Sequence, residues 1–309
     1  VPKKLASLLV GGKNMSFNKN GPTFSQELMS LGDKLDKSVL DATREMYLQV
    51  HKERQPSDIK IISDQLYGID PRQCLDVHLP ETKEQGLATF IYFHGGGFVG
   101  GNKNAAGPHI YGNVGNYFAE NNIIGINATY RLAPHATWPS ATQDVGLALQ
   151  WAIENVAEFG GDPNRIFICG QSAGGAHVAN YAFRKDMHLP SSPGYRGVIL
   201  LSGTFAVKPG KVSENALNYY GTNESLYDKM NLFNNIDYFD LPVFIGHSEF
   251  DPPSFKANSA ELSSKLTQLS GKSPSTVLLK GHNHFSPAFS FRTNDESVSQ
   301  LILNFCNNH

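Results

Sequence analysis

The stretch ICGQSAGGAHVA, Ile168–Ala179, sets a serine among glycines where an apolar run gives way to a helix-like one. Gly170 lies two positions before Ser172, and Gly174 and Gly175 follow just beyond Ala173. A strand-to-helix turn this tight forces its central residue into strained dihedrals. A Cβ two positions to either side would clash. The turn raises the serine hydroxyl above a sheet, at a helix N-terminus whose N–H groups and dipole favour developing negative charge. The spacing G-x-S-x-G alone is weak, because small residues are common. After a strand and before a helix it marks a candidate nucleophile.

The chain on either side supplies that context. From about residue 58, short apolar and β-branched runs alternate with helix-length stretches. The runs are ATFIYFH (88–94), NIIGINATY (122–130), RIFICG (165–170), GVILLSG (197–203), PVFIGHS (242–248) and STVLLKG (275–281). They read as buried strands of a mostly parallel sheet. Helices are expected near 108–120, 140–158, 173–185, 255–269 and 295–306. In one of them, TQDVGLALQWAIENVAEFGG, apolar positions recur at helical spacing and glycines follow the end. This alternation predicts a three-layer α/β sandwich in a single domain, 1–309. IKIISDQLYG and QCLDVHLP predict an antiparallel pair at the sheet's edge. Two segments fall outside the alternation: residues 1–57, with the helical LDATREMYLQVHKE, and the polar, aromatic 204–238. In an α/β enzyme such additions gather at the carboxyl ends of the strands, so both are expected to cap a pocket.

Composition narrows the function. The chain has 309 residues, 40% of them apolar and 17% charged, with a net charge of −2. That balance gives no electrostatic footprint for nucleic acid or an anionic membrane. No apolar run approaches the roughly 18–20 residues that span a bilayer. The opening VPKKLASLLVGGKN is too short and too soon interrupted in its apolar part for a signal peptide. Three scattered cysteines, Cys74, Cys169 and Cys306, are expected as buried free thiols, which points weakly to a reducing, cytoplasmic setting. Sequons begin at Asn14, Asn127 and Asn223, but Asn127 falls in an expected buried strand.

A second motif, Phe93-His94-Gly95-Gly96-Gly97-Phe98, directly follows the 88–94 strand. Three glycines leave backbone N–H groups approachable by a ligand. A phosphate-cradling loop would need G-K-[ST], and GGNKN supplies a lysine without that setting. The stretch matches the HGGG-type oxyanion loop of lipases and esterases.

With both motifs in place, the chain resembles α/β-hydrolase carboxylesterases of the hormone-sensitive-lipase-like group. YRLAP (130–134) with Pro139 and Asp144, ALQW (148–151), FGGDPNRI (159–166) and EFDPP (249–253) extend the likeness over about residues 60–309. Gln171 departs from it, since many of those relatives carry aspartate there. YGIDPRQCLDVHLP and the ending NHF (283–285) resemble the bacterial esterase and kynurenine-formamidase branch instead.

A serine hydroxyl needs a base, and in this fold the order is Ser, then Asp or Glu, then His. Glu249 and Asp251 lie on the loop after one strand, and His282 and His284 end the last one. The D-P pattern of the family favours Asp251, and its His-Phe pattern favours His284. The other pair would be loop, pocket-wall or supporting residues. The resemblance further implies that backbone N–H groups of Gly96, Gly97 and Ala173 hold the oxyanion. His94 is expected to anchor their loop. Two histidines at i, i+2 without a companion ligand argue against a metal site, and no cofactor is implied. His51, His188 and His309 are expected at the surface or terminus, and His78 in an edge strand. Phe98, Tyr219, Tyr220 and Phe233 are candidates to line the substrate pocket or to pack the cap. The expectation is a serine carboxylesterase for short-acyl or aryl esters. Its partner is a small-molecule ester, and a homodimer is left open. A small-amide hydrolase of the formamidase type and a non-catalytic ligand receptor are the alternatives.

Overall fold

The computed structural model describes residues 24–54, 58–105, 109–189, 194–237 and 241–309. The parts of the expected cap at 1–23, 55–57 and 238 lie outside them, as do Asn14 and the start of the 108–120 helix.

The apolar runs fold as strands β1 Lys60–Leu66, β2 Cys74–Leu79, β3 Leu87–Phe93, β4 Ile124–Ala128, β5 Gly161–Gln171, β6 Gly197–Leu201, β7 Val243–Phe250 and β8 Ser275–Asn283. Among the described residues they make one sheet of eight, in the order β1-β2-β4-β3-β5-β6-β7-β8. The first pair is antiparallel, with Lys60 opposite Leu79, and β2 also runs antiparallel to β4. From β4 to β8 every neighbour is parallel. His78 therefore sits one strand in from the edge, not on it, since β1 flanks β2.

Side-chain alternation builds a core on each face. Ile91 and Phe93 of β3 enter one apolar cluster, and Phe90 and Tyr92 enter the other. The first cluster is covered by helices α4 Ser140–Asn155, α5 Ala173–Phe183 and α8 Pro253–Ser270. The second is covered by α1 Ser25–Leu31, α2 Lys37–Glu53, α3 Gly112–Glu120, α9 Ser286–Phe289 and α10 Ser299–Asn308. Two short helices, α6 Glu214–Tyr220 and α7 Tyr227–Met230, fall in the 204–238 segment. This is the three-layer sandwich with a mostly parallel sheet.

The N-terminal helices do more packing than covering. Phe24, Leu28 and Tyr47 join the second core, and Tyr47 meets Phe289 edge-on at 6.3 Å. His51, expected at the surface, is buried because α2 lies along this face, and its Nε2 is 2.8 Å from the Phe289 carbonyl oxygen. Cys169 and Cys306 are buried free thiols, while Cys74 is half-buried. Among the described residues, no helix is long and apolar enough to cross a membrane.

Candidate active site

Parallel strands bring their carboxyl ends to one side, and five of the six lead there directly into a residue of the site. β3 is followed by His94, β5 by Ser172, β6 by Ser202, β7 by Asp251 and β8 by His284. Residues up to 190 positions apart in sequence thus converge without any local motif joining them.

Ser172 holds φ 54° and ψ −119° as it leaves β5 and heads α5. Its N–H donates to Leu201 O at 2.9 Å, which ties the turn to β6. A Cβ on Gly170 would come within 2.3 Å of Gly174 O, and one on Gly174 within 2.3 Å of Phe93 O. Both contacts are with backbone, so no side chain fits at either place.

The half-buried Ser172 Oγ lies 2.9 Å from His284 Nε2, and His284 Nδ1 lies 2.7 Å from Asp251 Oδ1. With Nδ1–H donating to the carboxylate, Nε2 is free to accept the serine proton. Asp251 is fully buried, and its second oxygen accepts the Ser202 hydroxyl at 2.6 Å and the Ser248 N–H at 2.7 Å. The Phe255 and Phe285 rings meet the imidazole edge-on at 4.6 and 5.3 Å. Ser202, Ser248 and Phe255 carried no signal in the sequence, because lone hydroxyls in apolar runs and an aromatic at a helix start are ordinary.

The glycine loop packs directly on this turn. A Cβ on Gly95 would sit 3.2 Å from Ser172 Cβ, and Gly96 at φ 146° leaves no room for one beside Gly100 O. His94 holds the loop from beneath. Its Nδ1–H donates to Gly95 O at 2.7 Å, its ring stacks on Tyr130 at 4.5 Å, and its own carbonyl accepts the Tyr130 hydroxyl. Burial drives its pKa down to about 3, so it stands neutral. Arg72 donates to Gly101 O at 3.0 Å, and the buried Lys103 pairs with Asp76 at 2.8 Å, which fixes the far end of the loop.

Ser172, His284, Gly96, Gly97 and Ala173 line one cleft of about 1030 Å³. Phe98 and Tyr220 line it too, whereas Tyr219 is buried below, stacked on Phe98 at 5.1 Å and edge-on to His177. Leu35, Lys37 and Leu40 reach the cleft from the N-terminal segment, and Val207, Val212 and Asn215 from the 204–238 segment. Phe233 packs against Phe205 in the core instead. Another cavity, of about 770 Å³, is bordered by Arg196, Lys272 and His309 and contains none of these groups.

The two competing loop residues are engaged elsewhere. Glu249 Oε2 accepts the Gly281 N–H at 2.8 Å, bracing β8. His282 is fully buried, with Nδ1 2.9 Å from Ser286 Oγ, Nε2 2.9 Å from Ser297 Oγ, and Asp295 Oδ2 3.6 Å away. It lies inside the protein rather than on a pocket wall. Among the described residues, no group of three or more His, Cys, Asp or Glu is gathered to hold a metal ion.

Comparison with known proteins agrees with the fold. Esterase LipC of Mycobacterium tuberculosis is 37% identical over 111 residues, covering 36% of this chain and 27% of that protein. Para-nitrobenzyl esterase of Bacillus subtilis is 30% identical over 197 residues, covering 57% of this chain and 38% of that protein. The matches thus span less than half the length of these relatives. Among solved structures, esterase B of Lactobacillus rhamnosis inhibited by a tributyrin phosphonate superposes with a TM-score of 0.72 at 20% identity, over 92% of this chain and 94% of that one. The hyperthermophilic esterase of Pyrobaculum calidifontis gives 0.70 at 19% identity, over 93% and 98%. A family model described as the alpha/beta hydrolase fold matches residues 90–285, well over half of the sequence, and the chain belongs to that family.

Proposed function

We propose that the protein is a serine carboxylesterase acting on short-acyl or aryl esters through Ser172, His284 and Asp251. The observation that carries this reading is the hydrogen-bonded chain from Ser172 Oγ through His284 to the buried Asp251, opening into a cleft beside a glycine loop. Esterases among the relatives support the same class of reaction.

His284 Nε2 takes the serine proton as Oγ attacks the ester carbonyl, and Asp251 orients the imidazole and stabilises its charged form. Backbone N–H groups of Gly96, Gly97 and Ala173 hold the oxyanion. Each such donor is worth about 10²–10³ in turnover. His284 then passes its proton to the leaving alcohol, and water repeats the sequence on the acyl-enzyme. Leu35 and Leu40 on one side and Val207 and Val212 on the other give the cleft apolar walls suited to small acyl or aryl groups.

The test is hydrolysis of p-nitrophenyl esters of rising acyl length, with N-formylkynurenine beside them, by wild type and Ser172→Ala. Wild type should turn over short esters, and Ser172→Ala should lose about 10⁶-fold in kcat while staying folded. Activity retained within tenfold would remove Ser172 from its role. A preference for N-formylkynurenine would move the protein to the formamide hydrolases.

A further inference from the structure

Gln171 is 2% exposed and occupies the last position of β5, directly before the nucleophile. Its amide works in two directions. Nε2–H donates to the main-chain oxygen of His284 at 2.9 Å, and Oε1 accepts the Tyr92 hydroxyl at 2.7 Å. Chemistry fixes this orientation, because a carbonyl oxygen only accepts and must therefore meet the NH₂ end. Tyr92 belongs to β3, two residues before His94 and its glycine loop. One buried amide thus joins the strand that carries the glycine loop, the turn that carries the serine and the residue that carries the base.

We propose that Gln171 is a positioning residue that holds His284 at working distance from Ser172. The proposal rests on the reading of those two residues as base and nucleophile. Around His284 the main chain is held on its far side by Asn283, whose Oδ1 accepts the N–H groups of Phe285 and Ser286. On the serine side, Gln171 meets the carbonyl of His284 itself. Without that donor a buried carbonyl loses its partner and the imidazole can drift from Oγ. An ionised carboxylate cannot replace the amide, since it has no proton to give to His284 O.

The experiment measures kcat and KM on p-nitrophenyl butyrate per active site, counted by the burst of p-nitrophenol from a p-nitrophenyl phosphonate. Gln171→Met, of similar length and without either hydrogen bond, should lower kcat by about 10–100-fold, the scale of a misplaced reacting group. KM should stay within about threefold. Tyr92→Phe should cost about fivefold alone and nothing further on top of Gln171→Met, because the two act through one contact. In Gln171→Glu the introduced carboxyl can donate only while protonated. Its turnover should therefore fall as pH rises, with a profile different in shape from that of Gln171→Met.

Turnover of Gln171→Met within twofold of wild type, or a loss confined to KM, overturns the proposal. If Gln171→Met does not fold, the profile of Gln171→Glu decides alone, and a wild-type shape overturns it. Ser172→Ala, run alongside, separates the two readings. An active Ser172→Ala means that the nucleophile has been misassigned. A dead Ser172→Ala with an unimpaired Gln171→Met removes only the positioning role.

Discussion

At Ser172 the backbone holds φ 54° and ψ −119°, a region that costs a non-glycine residue about 1–3 kcal/mol. Contacts that cannot relax sustain it: Gly170 lies against the Gly174 carbonyl, and Gly174 against the Phe93 carbonyl. Gly174→Ala should therefore destabilise the fold by about 1–3 kcal/mol, as overpacking does. Urea unfolding measures this, and a midpoint unchanged from wild type would mean that the turn can open. The same scale separates the two acids. Asp251→Asn keeps the shape but presents the wrong partner to His284 Nδ1, and should lower kcat by about 10⁴-fold. Glu249→Gln exchanges a carboxylate bound to the Gly281 N–H for an amide oxygen that serves as well, so kcat should stay within about threefold. The reverse ranking would hand the role to Glu249.

Elements were legible where burial is continuous. β3, β4 and β6 are buried at every position, so each reads as an apolar run, interrupted only by Thr89 in β3 and Asn127 in β4. β5 was harder, because it begins at Gly161 rather than 165. Leu87 pairs with Gly161 and Thr89 with Ile166, so the polar DPNR residues bulge between two paired stretches and look like a turn in sequence. The glycines around Ser172 and after His94 were visible because close approach restricts residue type. The hydroxyls of Ser202 and Thr43 were not, since a single hydrogen bond leaves no periodicity. Thr43 ties α2 to the loop of His284 by accepting the Asn283 Nδ2–H at 2.8 Å, and both residues are buried. Thr43→Val keeps the shape and strands that amide, at a cost of about 1–3 kcal/mol. A lower melting temperature together with a reduced kcat would show that α2 steadies the loop that carries His284. A lower melting temperature alone would leave α2 a packing element.

For the molecule as a whole, a formal charge of −2 says little about acid stability, because the decisive groups are buried imidazoles. Burial holds the pKa of His51 down to about 4, against an opposing hydrogen bond to Phe289 O. Burial likewise lowers His94 to about 3, and burial with the neighbouring His94 lowers His177 to about 3. His78 and His282 are lowered for the same reason. In the unfolded chain each would titrate near 6.5. Above that pH both states are neutral and nothing is at stake. Between about 6.5 and 4 the unfolded chain binds protons that the folded protein refuses, so stability falls as pH falls. His51, His94 and His177 each contribute on the order of 1 kcal/mol per pH unit within that window. Several together should make acid unfolding steep. Melting temperatures measured from pH 7.5 to 4.5 should therefore drop steeply below 6.5. His51→Gln keeps an N–H for the Phe289 carbonyl and cannot titrate, so its decline should be shallower than that of wild type. Parallel curves would mean that α2 opens and lets His51 take its proton while the rest of the protein stays folded.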